Sequence, residues 1–207
     1  MSRRDTSKVK RNIMEGIAKI VPNGQIISRK LIKTRDKILK CWASRNYREG
    51  KEIHNWYGLF NEDIEGEPEK TMLLFTTEDE RNFLVVPLAD FLHEIKPYLR
   101  TTKGGYFFLV VRRENNWLLP KDYIPKDLRK EIAGDGVQLN KFVNNLSFLG
   151  GSYEKYLSLL EAAEIKPMPQ TDINSMIKVI AEKDISFLAK STEEKLIIIR
   201  YHQIKNQ

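Results

Sequence analysis

Ser28-Arg29-Lys30-Leu31-Ile32-Lys33-Thr34-Arg35-Asp36-Lys37-Ile38-Leu39-Lys40-Cys41-Trp42 holds six cations, one carboxylate and five large apolar side chains. At 100° per residue, Leu31, Ile32, Ile38, Leu39 and Trp42 fall on one arc. Arg29, Lys30, Lys33, Lys37 and Lys40 fall on another. With Ser28 as its N-cap, the spacing predicts an amphipathic helix over 28–42 whose wet face is almost purely cationic. Arg35 lies in the middle of the apolar arc, where it must snorkel or meet an anion.

The charge of this stretch belongs to a wider asymmetry. The chain has 207 residues and a formal charge of +7. Residues 1–51 hold 15 basic and four acidic side chains, a net +11, and the rest carries −4. Residues 62–80 alone hold eight acids against Lys70. A basic first quarter joined to a mildly acidic body is the pattern of a chain that meets a polyanion with one end. Hydrophobic residues at 41% and aromatic residues at 10% exclude a mostly disordered chain. The single Cys41 excludes a disulfide framework and a Cys-based zinc site. No apolar run is long enough to span a bilayer, and the start lacks a signal-like stretch. An intracellular location is expected: cytoplasm, nucleoid or nucleus.

Around the basic stretch, the pattern predicts an α+β fold. Val9, Ile13, Ile17 and Ile20 predict a helix over 6–20, stopped by Val21-Pro22-Asn23-Gly24. Strands are expected at 53–60, 71–77, 82–88 and 106–112, with a hairpin joining the second and third. A helix over 89–99 then gives a right-handed crossover to a parallel partner, and 117–119 forms a small return strand. Helices are expected at 126–132, 139–146 and 153–165, and again from Asp172. Residues 195–204 fit a strand or a helix equally. The regions are a basic helical N-terminus (1–51), a mixed α/β core (52–150) and a helical C-terminal region (151–207).

The expected order αβββαβ resembles the core of restriction-endonuclease-like nucleases, and its first five elements resemble double-stranded-RNA-binding domains. The first resemblance implies an acid near the second strand and an acid-x-Lys pair on the third, holding a divalent metal. Here Glu67 and Glu69 precede the second strand, while Asn82-Phe83-Leu84-Val85-Val86-Pro87 has neither carboxylate nor lysine. Glu94-Ile95-Lys96 and Glu164-Ile165-Lys166 fall on expected helices. The helix after the third strand opens on Ala89-Asp90, not on the lysine cluster of the RNA-binding domains. Neither family is assigned.

The function expected from these residues is nucleic-acid binding, DNA before RNA, through phosphate contacts that need cations but no fixed spacing. The candidate residues are Arg3, Arg4, Lys8, Lys10, Arg11, Arg29, Lys30, Lys33, Lys37, Lys40, Arg45, Arg48 and Lys51. Trp42, Tyr47, Trp56 and Tyr57 lie in or beside this region and can stack on exposed bases. Two other readings fit the composition. One is a Mg²⁺-dependent nuclease with Glu67, Glu69 and Asp79 as metal ligands; without catalysis no cofactor is expected. The other is an assembly subunit whose basic end grips an acidic protein. His54 is a candidate general base without an identified partner, and Cys41 reads as packed.

Overall fold

The computed structural model describes residues 6–164. The elements run α1 (Thr6–Ile20), β1 (Gln25–Ser28), β2 (Leu31–Lys33), β3 (Ile38–Ala43), β4 (Tyr47–Glu49), β5 (Glu52–Phe60), β6 (Thr71–Thr76) and β7 (Phe83–Pro87). The single helical turn α2 (Leu88–Asp90) follows, then β8 (Arg100–Thr102), β9 (Gly105–Arg113), β10 (Asn116–Pro120), β11 (Gly136–Gln138) and α3 (Tyr153–Glu164). The class is α+β, and one sheet mixes parallel and antiparallel pairs. Arg3, Arg4, the helix expected from Asp172 and the element at 195–204 lie outside the described residues.

The first sheet has the order β1-β2-β3-β6-β7, and the second the order β11-β10-β9-β5-β4, with β8 on β9. One face of the first sheet, with Ile32, Leu39, Cys41, Met72, Leu74, Phe83 and Val85, packs against α1 and α3. Val9, Ile13, Met14 and Ile17 supply the helix side, so the sequence periodicity of α1 is the buried face observed. The other face, with Trp42, Leu73, Phe75, Leu84 and Val86, packs against Tyr57, Leu59, Phe108 and Val110 of the second sheet. Helices, sheet and sheet thus form three layers. The first sheet is the middle one, which explains why every residue of β6 is buried.

The helix predicted over 28–42 does not form. The residues make β1–β2–β3, an antiparallel meander. Its pattern has period two as well as 3.6: Leu39 and Cys41 face the helices, while Lys40 and Trp42 face the other way. Pairing decides between the two periods, because β3 lies parallel to β6 over six residues, from Ile38↔Thr71 to Ala43↔Thr76. Thr34-Arg35-Asp36-Lys37 is the turn between β2 and β3, closed by Thr34 N–H donating to Lys37 O (2.8 Å) and Lys37 N–H donating to Thr34 Oγ1 (3.0 Å). Arg35, the misfit on a helical wheel, sits exposed in that turn, 3.7 Å from Asp36. At the sheet edge, β1 is short, kinked by a register shift between Ile26 and Ser28, and followed by two cations. All three features oppose edge-to-edge pairing.

Strands expected at 53–60, 71–77, 82–88 and 106–112 are present, as is the β6–β7 hairpin. The expected parallel partner of the last strand is not. β9 pairs antiparallel with β5, β8 and β10, and β7 belongs to the other sheet. Residues 88–98 are helical but irregular, passing from α to π to 3₁₀ geometry as Pro97 is reached. Their apolar side, Leu88, Phe91 and Ile95, joins the core between the sheets, so the segment links the sheets and does not cross over one. The αβββαβ order is therefore not realised.

Segments 126–132 and 139–146 form 3₁₀ turns in place of α-helices, with β11 between them. The chain here is drawn to β10 by its pairing with β11 and by Leu139 N–H donating to Trp117 O (2.7 Å), while Lys121 N–H, just after β10, donates to Asp135 O (2.8 Å).

Two glycines permit close backbone approaches. A Cβ on Gly24 would lie 2.2 Å from Ala18 O, where the chain folds back from α1 into β1. A Cβ on Gly105 would lie 2.0 Å from Leu59 O, inside the β5–β9 pair. Gly105→Ala is expected to cost about 2 kcal/mol or more of unfolding free energy. Chemical denaturation measures it, and a wild-type midpoint would contradict the β5–β9 register.

Candidate functional site

The N-terminal half of α1 and the β1–β2 turn enclose a groove of about 630 Å³. Lys10 and Arg11 project from the helix, and Ser28 and Arg29 from the strand end. The turn itself is Arg29-Lys30. Ser28 Oγ accepts the Lys30 N–H at 3.2 Å, and the Lys30 carbonyl accepts the Cys41 N–H at 2.8 Å, so the cationic tip is pinned to β3. A second hollow, of about 640 Å³, is lined by Arg29 and Lys30 of the same turn together with Lys40, Glu62 and Asp63.

Arg11 is engaged by Glu15 at 2.8 Å. Lys10, Arg29 and Lys30 have no carboxylate within ion-pair distance among the described residues. Partial burial lowers the pKa of Lys10, and the charge of Lys30 lowers it further. Glu15, which also lines the groove, is held by Arg11, so Lys10, Arg29 and Lys30 repel one another without a direct ion pair, and an anion would relieve that repulsion.

The other cations named from the sequence are dispersed. Lys8 is exposed on α1. Lys33 and Arg35 lie at the β2–β3 turn, the opposite end of β2 from Arg29 and Lys30. Lys37 donates to Phe148 O at 2.6 Å. Lys40 donates to the carbonyls of Asp63 and Glu65, both at 2.8 Å, and so caps the 3₁₀ turn Asn61–Ile64. Two of the five cations assigned to one helical face thus hold the fold together. Arg48 lies within β4, at the edge of the second sheet, and Arg45 and Lys51 lie on either side of it.

The acidic candidates do not converge. Glu67 pairs with Lys70 at 2.6 Å just before β6. Asp79, just beyond β6, takes the Asn82 amide and the Arg81 N–H and lies 3.7 Å from Arg112. Six residues of strand separate the two sites, about 20 Å. Glu69 is exposed beside Glu67. Among the described residues, no three His, Cys, Asp or Glu side chains are grouped to hold a metal. His54 is nearly buried between Glu49 (3.4 Å) and Glu52 (3.1 Å), and Arg113 also reaches Glu52. The His54 hydrogen bond, followed by Arg113, holds the Glu52 carboxyl below its ordinary range. Cys41 is packed, and burial pushes its thiol up to about 12, so it is inert at neutral pH.

Of the aromatic side chains named from the sequence, Trp42 and Tyr57 are core residues. Trp56 instead stacks on Phe107 and meets Tyr123 edge-on. Sequence reasoning singled out neither Phe107 nor Tyr123. The strand expected over 106–112 was the available signal, since successive side chains of a strand point to opposite faces and Phe107 then lies opposite Phe108.

The lowered pKa of Lys10 means that the folded protein holds this proton less tightly than the unfolded chain. The stability penalty is complete below the folded pKa and fades as pH rises through it towards the unfolded value. Lys10→Met is therefore expected to melt above the wild type at pH 7, with the gap closing in alkaline buffer. Thermal denaturation across pH checks this, and a lower melting temperature at pH 7 would contradict it.

No helix among the described residues is long and apolar enough to cross a membrane. No family model, curated protein or solved structure matches the chain.

Proposed function

We propose that the protein binds nucleic acid through the cationic groove between α1 and the β1–β2 turn. The observation that supports this reading most strongly is the placement of Lys10 and Arg29 in one groove, with Lys30 beside Arg29 in the turn and none of the three within ion-pair distance of a carboxylate among the described residues. Phosphates would neutralise these side chains and release condensed counterions, so affinity falls steeply as salt is added. The contacts are to the backbone of the polyanion and read no sequence. The separation of Glu67 from Asp79 favours binding over Mg²⁺-dependent cleavage. An acidic protein surface is the competing partner.

The test is oligonucleotide binding, DNA and RNA, followed by fluorescence anisotropy across a salt series. The double reversal Arg29→Glu, Lys30→Glu is expected to weaken binding at least about tenfold and to lower the salt slope by about two. Reversing Lys33 and Arg35, at the far end of β2, should cost much less. Equal losses for the two double variants would sink the groove assignment. Absence of binding to any oligonucleotide at low salt would sink the reading itself.

A further inference from the structure

The second sheet carries an aromatic cleft that the cationic groove does not use. Trp56 and Phe107 stand face to face on neighbouring strands, with ring centroids 5.1 Å apart and planes 16° apart. The Tyr123 ring meets Trp56 edge-on at 5.3 Å. The cleft has a volume of about 340 Å³, the size of pocket that takes a small planar group. Phe107 is 47% exposed and Tyr123 40%, a cost that core packing does not demand. Farther along the same face of β5, Phe60 is 61% exposed.

Charge and backbone order say what fits there. Among the described residues, the only charged side chain lining the cleft is Arg100, whose guanidinium lies 5.9 Å from the Tyr123 centroid. One of its nitrogens donates to Asp122 O at 3.3 Å, which leaves donors for a phosphate. Lys103, three residues on, is exposed in the β8–β9 turn, and that turn is tied to the end of β5 by Asn61 N–H donating to Gly104 O at 3.0 Å. Flat rings with a guanidinium beside them and no carboxylate lining the cleft suit a nucleobase with its phosphate. In a duplex the base faces are already stacked on their neighbours, so the rings serve only an unpaired strand.

We infer that the nucleic acid bound is single-stranded, with bases stacking at Trp56, Phe107 and Tyr123. This inference rests on the proposed nucleic-acid reading and names its substrate class. The test compares fluorescein-labelled oligo(dT) with a mixed-sequence duplex of the same length. Trp42 and Trp117 are core residues, so Trp56 is the tryptophan a base can reach.

Oligo(dT) is expected to quench tryptophan emission in the wild type, and Trp56→Phe should abolish the quench while retaining most of the affinity. Phe107→Ala is expected to weaken oligo(dT) binding about tenfold and leave duplex binding unchanged. Equal affinity for both forms, without quenching and without an effect of Phe107→Ala, would overturn the inference and leave the groove reading intact. Failure to bind either form would overturn both.

Discussion

The parallel pairing of β3 with β6 is the constraint on which the rest of the molecule hangs. It is the one parallel contact among the described strands, and it joins the basic first quarter to the body over six residue pairs. β6 is buried along its whole length because two cores meet across it: the helices lie on one side and the second sheet on the other. Each fully buried apolar side chain contributes about 1.5–3 kcal/mol, and β3 and β6 place such residues in both cores. A helix over 28–42 could bury only one face, and it would leave the β3 side of β6 with unpaired backbone groups in a dry interior.

That pairing also decides which cations remain available. A lysine on a surface is useful to a ligand only if the fold has not already taken its donors. Lys37 and Lys40 are taken, one by the carbonyl of Phe148 and the other by the turn after β5. Arg29 and Lys30, at a turn pinned by Ser28 and Cys41, are left with their charge outward and Lys10 across the groove. The meander therefore divides the charge of the first quarter into a structural share and a free one, a division that composition does not reveal.

Much of the body was legible in the sequence because its signals were unambiguous. The helical stripe of Val9, Ile13 and Ile17 and the apolar runs of β6 and β7 each fit one period well. The stretch 28–42 fitted two, and only the remote partner Thr71–Thr76 selects between them; Arg35 on the apolar arc was the local sign that the helix was wrong. The parallel crossover failed for a related reason. Periodicity located strand and helix, but the destination of the helix depends on which core takes Phe91 and Ile95. The groove was invisible because it needs Lys10 opposite Arg29, and nothing local records that 19-residue separation in space.

The most direct test of the account is an amide chemical-shift titration of the isotope-labelled protein with a short oligonucleotide at low salt. Strand formation over 25–43 puts Lys10, Arg29 and Lys30 on one surface, so within the basic first quarter the largest shifts should fall on residues 7–14 and 28–30 and fade as salt is added. Large shifts running through Lys33, Lys37 and Lys40 as one continuous face, with residues 7–14 unmoved, would contradict it.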